Sequence, residues 1–275
     1  MKKGIFIVVV VLLLIAFGVS SFMVGSYLLE GKEQKDRYNE LAQIAANGRE
    51  TQSAMETEEV PGDTQGAAEQ PSETEDDIPT ESTMIPGYAE IYEGNNDTVG
   101  WLRIEGTNLD YPVMQTPGNP NYYLYRDYDK KSSKRGSLYA WEAADINEPS
   151  DNITIFGHNM ADGSMFSTLN SYVDKSFWEE NSLIFFDTLN EYHTYKIYAV
   201  FKTSANIGEG YAYHKFVDAG NRDEFNTFVN TVKNLSFYDT GITPVYGDKM
   251  IALSTCEYTD PGDNGRLVVC AVRIS

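Results

Sequence analysis

One cysteine, one histidine and one arginine in this chain stand where they could act together on a carbonyl group. Cys256 ends the apolar run Lys249 to Cys256, and Arg266 heads the run Leu267 to Val272. Two such runs read as neighbouring strands, which would set a thiol at the mouth of one beside a guanidinium on the next. A thiol is a strong nucleophile only as thiolate, and a nearby cation favours that form and can also bind an oxyanion. About a hundred residues upstream, His158 follows the run Ile153 to Phe156 and a flexible Gly157, and precedes a polar turn. Loops after strands are where catalytic groups are commonly carried. Thiol, imidazole and guanidinium together point to acyl transfer through a thioester. Two other readings of the residues stay open: a disulfide between Cys256 and Cys270, or a Cys256 that is merely structural.

Other chemistries find less support. The remaining histidines, His193 and His214, have no His or Cys at zinc-ligand spacing, so no metal is expected. No glycine-rich phosphate loop opens a helix, and no Gly-x-Ser-x-Gly elbow is present. His193 begins an alternating run and reads as a surface or cross-strand residue, whereas His214 lies in the aromatic loop Tyr211 to Phe216, where a ligand contact is conceivable. Cys270 sits in an unbroken Val and Ala run and reads as a buried small hydrophobe.

The elements that must position these groups begin at a membrane. Residues 1–3 form a short basic terminus, and Gly4 to Leu29 contain no charged residue. As a helix that stretch spans roughly 39 Å at about 1.5 Å per residue, enough to cross roughly 30 Å of hydrocarbon with tilt. It is too long for a signal-peptide core, so an uncleaved single-pass anchor is expected. Lys2 and Lys3 stand unopposed before it, which favours an internal N-terminus and an extracellular remainder. Residues 30–49 carry Tyr38, Leu41, Ile44 and Ala45 at helical spacing and read as a juxtamembrane helix. Residues 50–85 read as an acidic disordered tether, because Glu50 to Glu81 hold eleven acidic side chains, no Lys or Arg and little apolar surface. The net charge of −20 divides into +2 for residues 1–49, −11 for the tether and −11 for the rest, so nucleic acid is not an expected partner.

Residues 86–275 suffice for one domain with a good core. Eight runs rich in β-branched and aromatic residues are separated by turn residues: 99–104, 109–114, 136–140, 153–156, 182–186, 192–203, 250–255 and 267–274. They predict a mainly β, mostly antiparallel eight-stranded barrel. Peripheral helices are expected near Tyr88, over 165–173, and over 222–235, where Phe225, Phe228, Val229 and Val232 share one face. The last of these falls between the sixth and seventh strands.

From about Tyr88 onward the chain resembles the class B sortases, membrane-anchored cysteine transpeptidases of Gram-positive bacteria. The resemblance rests on ordered motifs: Gly100-Trp101-Leu102-Arg103-Ile104, Asp110-Tyr111-Pro112-Val113, Tyr122-Tyr123-Leu124, Gly136-Ser137-Leu138-Tyr139, Phe156-Gly157-His158-Asn159-Met160, and Leu253-Ser254-Thr255-Cys256 with Arg266. It implies a sortase-type barrel and catalysis by Cys256, His158 and Arg266. The sequence itself gives no sign of a calcium requirement, and no cofactor is expected. Substrate contacts are implied for Ser254, Leu124 and Tyr211, with Phe156 and Glu257 as further candidates. The implied partners are secreted proteins bearing a C-terminal sorting signal of the Asn-Pro-x-Thr type and a peptidoglycan precursor or cross-bridge amine. A pilin-polymerising enzyme with a lysine acceptor and a non-enzymatic surface-binding domain are the alternatives.

Overall fold

The apolar runs near the C-terminus are unbroken because both faces of their strands are covered. In the computed structural model, which describes residues 2–58, 84–206, 208–257 and 264–275, β7 (Met250–Glu257) and β8 (Gly265–Arg273) are antiparallel neighbours. Met250, Ala252, Val268, Cys270 and Val272 pack with Phe225, Phe228, Val229 and Val232 of helix α4 (Arg222–Leu235). By strand alternation Ile251, Leu253, Val269 and Ala271 face the other way, and all four are fully buried. Each fully buried apolar side chain of this kind contributes about 1.5–3 kcal/mol of transfer free energy. Helix α4 starts where the sequence places it because the Asn221 side chain accepts hydrogen bonds from the backbone N–H groups of Asp223 and Glu224.

The remaining strands are β1 (Thr98–Arg103), β2 (Asp110–Met114), β3 (Leu138–Ala140), β4 (Asn152–Phe156), β5 (Leu183–Thr188) and β6 (Thr194–Ser204). Together they close a barrel in the order β1-β2-β3-β4-β7-β8-β6-β5. The β2–β3 and β4–β7 pairs are parallel and the others antiparallel. The mainly β barrel with a helix between the sixth and seventh strands is therefore present as expected. The helical pattern over 165–173 is a 3₁₀ segment, Phe166–Val173, followed by the short α3 (Lys175–Glu180), which the sequence reading did not anticipate. No disulfide forms: Cys256 and Cys270 are both free, and Cys270 faces Ala252 rather than Cys256.

Helix α1 runs unbroken from Lys2 to Glu58, past Glu50, where the sequence suggests that the tether begins. Its apolar part, Ile5 to Leu29, is exposed on all sides, as a lipid-facing helix would be. The chain divides into two compact units, Met1–Glu40 and Leu41–Ser275. Within the second, Leu41 and Ala45 are buried, and a Cβ on Gly48 would fall 1.6 Å from the carbonyl oxygen of Pro86. Arg49 donates to the Tyr88 hydroxyl (3.2 Å), which donates to the buried carboxylate of Asp187 (2.6 Å). The last described turns of α1 thus belong to the compact barrel unit together with α2 (Tyr88–Gly94), while most of the acidic segment, residues 59–83, lies outside the described residues.

Candidate active site

Parallel pairing of β4 with β7 brings the ends of two distant runs to one level. Phe156 pairs with Ser254, and the alignment continues past the end of β4. There the Gly157 N–H donates to the Ser254 carbonyl (3.1 Å) and the Thr255 hydroxyl donates to the Gly157 carbonyl (2.8 Å). His158 therefore leaves its strand level with Cys256. On the other side of β7, Cys256 pairs directly with Arg266 on β8. Adjacent strands lie about 4.8 Å apart, so the three backbones span roughly 10 Å. All three residues line a single cleft of ≈ 460 Å³ on the outer face of the sheet.

Each group is held by specific contacts. His158 Nε2 lies 2.7 Å from the carbonyl oxygen of Leu124. A carbonyl can only accept, so Nε2 carries a proton and Nδ1 is the nitrogen left for proton transfer. The backbone carbonyl of His158 accepts from the Phe166 N–H (2.9 Å), and its ring lies 5.7 Å from that of Tyr125. The neighbouring Asn159 amide donates to the Cys256 carbonyl (3.1 Å) and accepts from the Asn170 amide (3.0 Å). Asn159 therefore links the loop of the histidine to the strand of the cysteine. Arg266 Nη1 donates to the carbonyl of Gly265 (2.8 Å), which fixes one edge of the guanidinium and leaves the other donors for a ligand.

The two thiols have different surroundings. Cys256 is half-buried beside the cleft, whereas burial pushes the Cys270 thiol up to about 12. Tyr139 is also pushed up to about 12, chiefly by burial; the Cys256 sulfur reinforces the shift and Arg266 opposes it, so its hydroxyl shares their electrostatic environment. Among the described residues, no set of three or more His, Cys, Asp or Glu side chains is grouped as metal ligands.

The expected substrate contacts divide. Leu124, Tyr211 and Phe156 line the cleft, half-buried. Ser254 also borders it but is buried, and its hydroxyl is engaged with that of Tyr213 at 2.5 Å. The Glu257 side chain lies outside the described residues, although its backbone pairs with Gly265 at the end of β7. Asn121, Tyr139, Trp141 and Tyr213 also line the cleft and were not among the expected contacts, and His214, for which a ligand contact was conceivable, lines it too. Strand parity could have indicated Tyr139 and Trp141, since Tyr139 pairs with Phe156; nothing in the local pattern shows that the Tyr213-His214 turn reaches this face.

Comparison with known proteins adds an independent finding. Residues 102–274 match the family model of the sortase domain. The sortase B of Listeria monocytogenes is 32% identical over 176 residues, covering 64% of this chain and 69% of the relative. The sortase B of Staphylococcus aureus is 28% identical over 188 residues, covering 68% and 74%. Among solved structures, a Staphylococcus aureus sortase B–substrate complex superposes with TM-score 0.70 at 23% identity, covering 90% of this chain and 99% of that one. The Bacillus anthracis sortase B in complex with AAEK1 gives 0.67 at 24% identity, covering 90% and 99%.

Proposed function

Because the chain belongs to the sortase family, as a class B enzyme, we propose that Cys256, His158 and Arg266 divide the work of a two-step transpeptidation between them. The Cys256 sulfur, as thiolate, attacks the carbonyl carbon of the Thr in a C-terminal sorting signal. The oxyanion that forms is held by the free donors of Arg266, whose planar fork suits two oxygen acceptors. Collapse of the tetrahedral species breaks the C–N bond, and the departing amine takes a proton from His158 Nδ1, leaving a thioester on Cys256. An incoming amine then attacks the thioester and gives its proton to His158. Thiolate leaves, and a new amide joins the cargo protein to its acceptor.

The acceptor is an amine of peptidoglycan, and the cargo is a secreted protein carrying the sorting signal. A single-pass anchor fits this task, since the apolar stretch of α1 is long enough to cross a bilayer. Lys2 and Lys3 before the span support an internal N-terminus and an extracellular barrel. The observation that carries the assignment of roles is the common level of His158, just past the end of β4, with Cys256 on β7 and Arg266 on β8 around one cleft.

A competition assay tests the acceptor. The enzyme, a sorting peptide, a cross-bridge amine and a lysine-bearing pilin are mixed, and the products are sequenced by mass spectrometry. Transfer to the cross-bridge amine is the expected outcome. Isopeptide bonds to pilin lysine in its place would make the chain a polymerising enzyme.

A further inference from the structure

His158 is gripped from two segments, and one buried guanidinium joins them. The 3₁₀ turn Tyr122–Tyr125, in the connection from β2 to β3, supplies the Leu124 carbonyl that accepts from Nε2 (2.7 Å). The loop after β4 carries His158 itself and returns through Asp162 and Ser164 to Phe166, whose N–H donates to the His158 carbonyl (2.9 Å). The ring keeps its orientation only while these two segments keep theirs relative to each other.

Arg135 stands between them. Its backbone is tied to the turn: the Ser133 N–H donates to the Tyr125 carbonyl (3.0 Å), the Ser137 N–H to the Tyr123 carbonyl (3.0 Å), and the Ser137 hydroxyl to the Arg126 carbonyl (3.0 Å). Gly136, at φ 59°, lies so close that a Cβ there would fall 2.5 Å from the Leu124 carbonyl oxygen. This backbone therefore packs directly against the acceptor of His158. The Arg135 side chain reaches the other way and pairs with Asp162, and its Nη1 also donates to the Ser164 hydroxyl (3.1 Å). Asp162 in turn accepts from the N–H (3.1 Å) and the hydroxyl (2.6 Å) of Ser164.

The pair is built into the protein on one side and open to solvent on the other, since the Arg135 side chain is 8% exposed and that of Asp162 48%. Burial would raise the Asp162 carboxyl, but the Ser164 donors and the Arg135 guanidinium outweigh it and hold the group below the ordinary carboxylate range. A guanidinium stays charged in proteins, so the ion pair is intact at neutral pH. Removing one partner leaves the buried charge less compensated, and the loop is then free to shift. Neither residue lines the cleft, so any effect on the chemistry passes through His158.

We infer that Arg135 and Asp162 form a positioning pair for His158: they lock the loop after β4 against the turn that carries the Leu124 carbonyl, keeping Nε2 bonded and Nδ1 turned to the reacting atoms. This rests on the transpeptidase reading above. Misplacing a reacting group by roughly 1 Å costs on the order of 10² in rate, so a partial loosening should cost about tenfold.

The test uses the full chain in detergent, with its histidines labelled with nitrogen-15. The chain has three histidines, and the His158 signal is assigned by its loss in His158→Ala. The wild type should show a His158 Nε2 proton protected from exchange with water. Asp162→Asn and Arg135→Gln should speed that exchange and lower the kcat of acylation, each by about tenfold per folded molecule, with KM within about twofold. The double variant should be no slower than the slower single one, because the two side chains act as one unit. Asp162→Asn alters the more exposed partner, so it tests the pair even where Arg135→Gln fails to fold. An unprotected Nε2 proton in the wild type, unchanged exchange or wild-type kcat in Asp162→Asn, a loss carried by KM, or additive losses in the double variant would overturn the pair. A wild type that forms no thioester with a sorting peptide overturns the transpeptidase reading instead, and the exchange measurement still reports on the grip.

Discussion

Replacing Gly157 by alanine should damage stability and acylation together, because this glycine sits between the packed interior of the barrel and the histidine. An added methyl would lie 2.5 Å from Leu138 Cδ2 and 2.7 and 2.9 Å from two ring carbons of Phe166. Carbon atoms in contact are ordinarily about 3.5–4.0 Å apart, so the overlap is roughly 1 Å. Leu138 and Phe166 are both buried, leaving little room to retreat. The end of β4 must lift instead, against the two hydrogen bonds that join Gly157 to Ser254 and Thr255. Overpacking of this kind costs about 1–3 kcal/mol. A displacement of roughly 1 Å at a reacting group costs on the order of 10² in rate. Urea unfolding would report the first and single-turnover thioester formation the second. Leu138→Ala combined with Gly157→Ala supplies space for the methyl, so the pair should be destabilised by less than the sum of the single variants. A Gly157→Ala protein with wild-type stability and wild-type acylation would refute the argument that this backbone position sets the histidine.

Arg266→Lys should lower the acylation rate by about 10²–10³, because an ammonium cannot reproduce a forked set of donors at an oxyanion; unchanged turnover would remove Arg266 from the scheme. A thiol-specific thiosulfonate should label native wild-type protein at Cys256 alone, since Cys270 is fully buried and its thiol is pushed up to about 12; labelling of native Cys256→Ala protein would contradict this. His193 supplies a pH dependence of stability. Burial, with Arg273, holds its imidazole below the ordinary value, and these outweigh Glu191 at 3.2 Å, whose mostly exposed carboxylate is screened. The unfolded chain therefore takes up a proton near pH 6.5 that the fold resists, so stability should fall as pH drops below about 6.5 until the depressed folded value is reached. His193→Leu should flatten that part of the curve in urea titrations at successive pH values, and an unaltered slope would count against it.

Much of the barrel was legible because its strands carry their own punctuation. The runs around Cys256 and Arg266 are apolar on both faces, which marks interior strands, and the phenylalanines and valines of α4 declare their buried face by spacing. The juxtaposition of His158 with Cys256 depends on a parallel pairing of β4 with β7, a long-range choice that no local pattern encodes. The same limit hid the Tyr213 hydroxyl that engages Ser254. The acidic segment looks like a spacer from residue 50, yet helix continues to Glu58, and Gly48 and Arg49 contact Pro86 and Tyr88 through backbone proximity and a hydrogen bond that composition does not register.

The claim on which the rest stands is that one sulfur, that of Cys256, carries the acyl group between two partners. Intact-mass measurement of the enzyme mixed with a sorting peptide and no acceptor tests it directly. The account predicts an adduct of the acyl fragment on the wild type and on Cys270→Ala, discharged by an added amine and missing from Cys256→Ala. An adduct that persists on Cys256→Ala, or a cleaved peptide with no adduct at any time on the wild type, would contradict it.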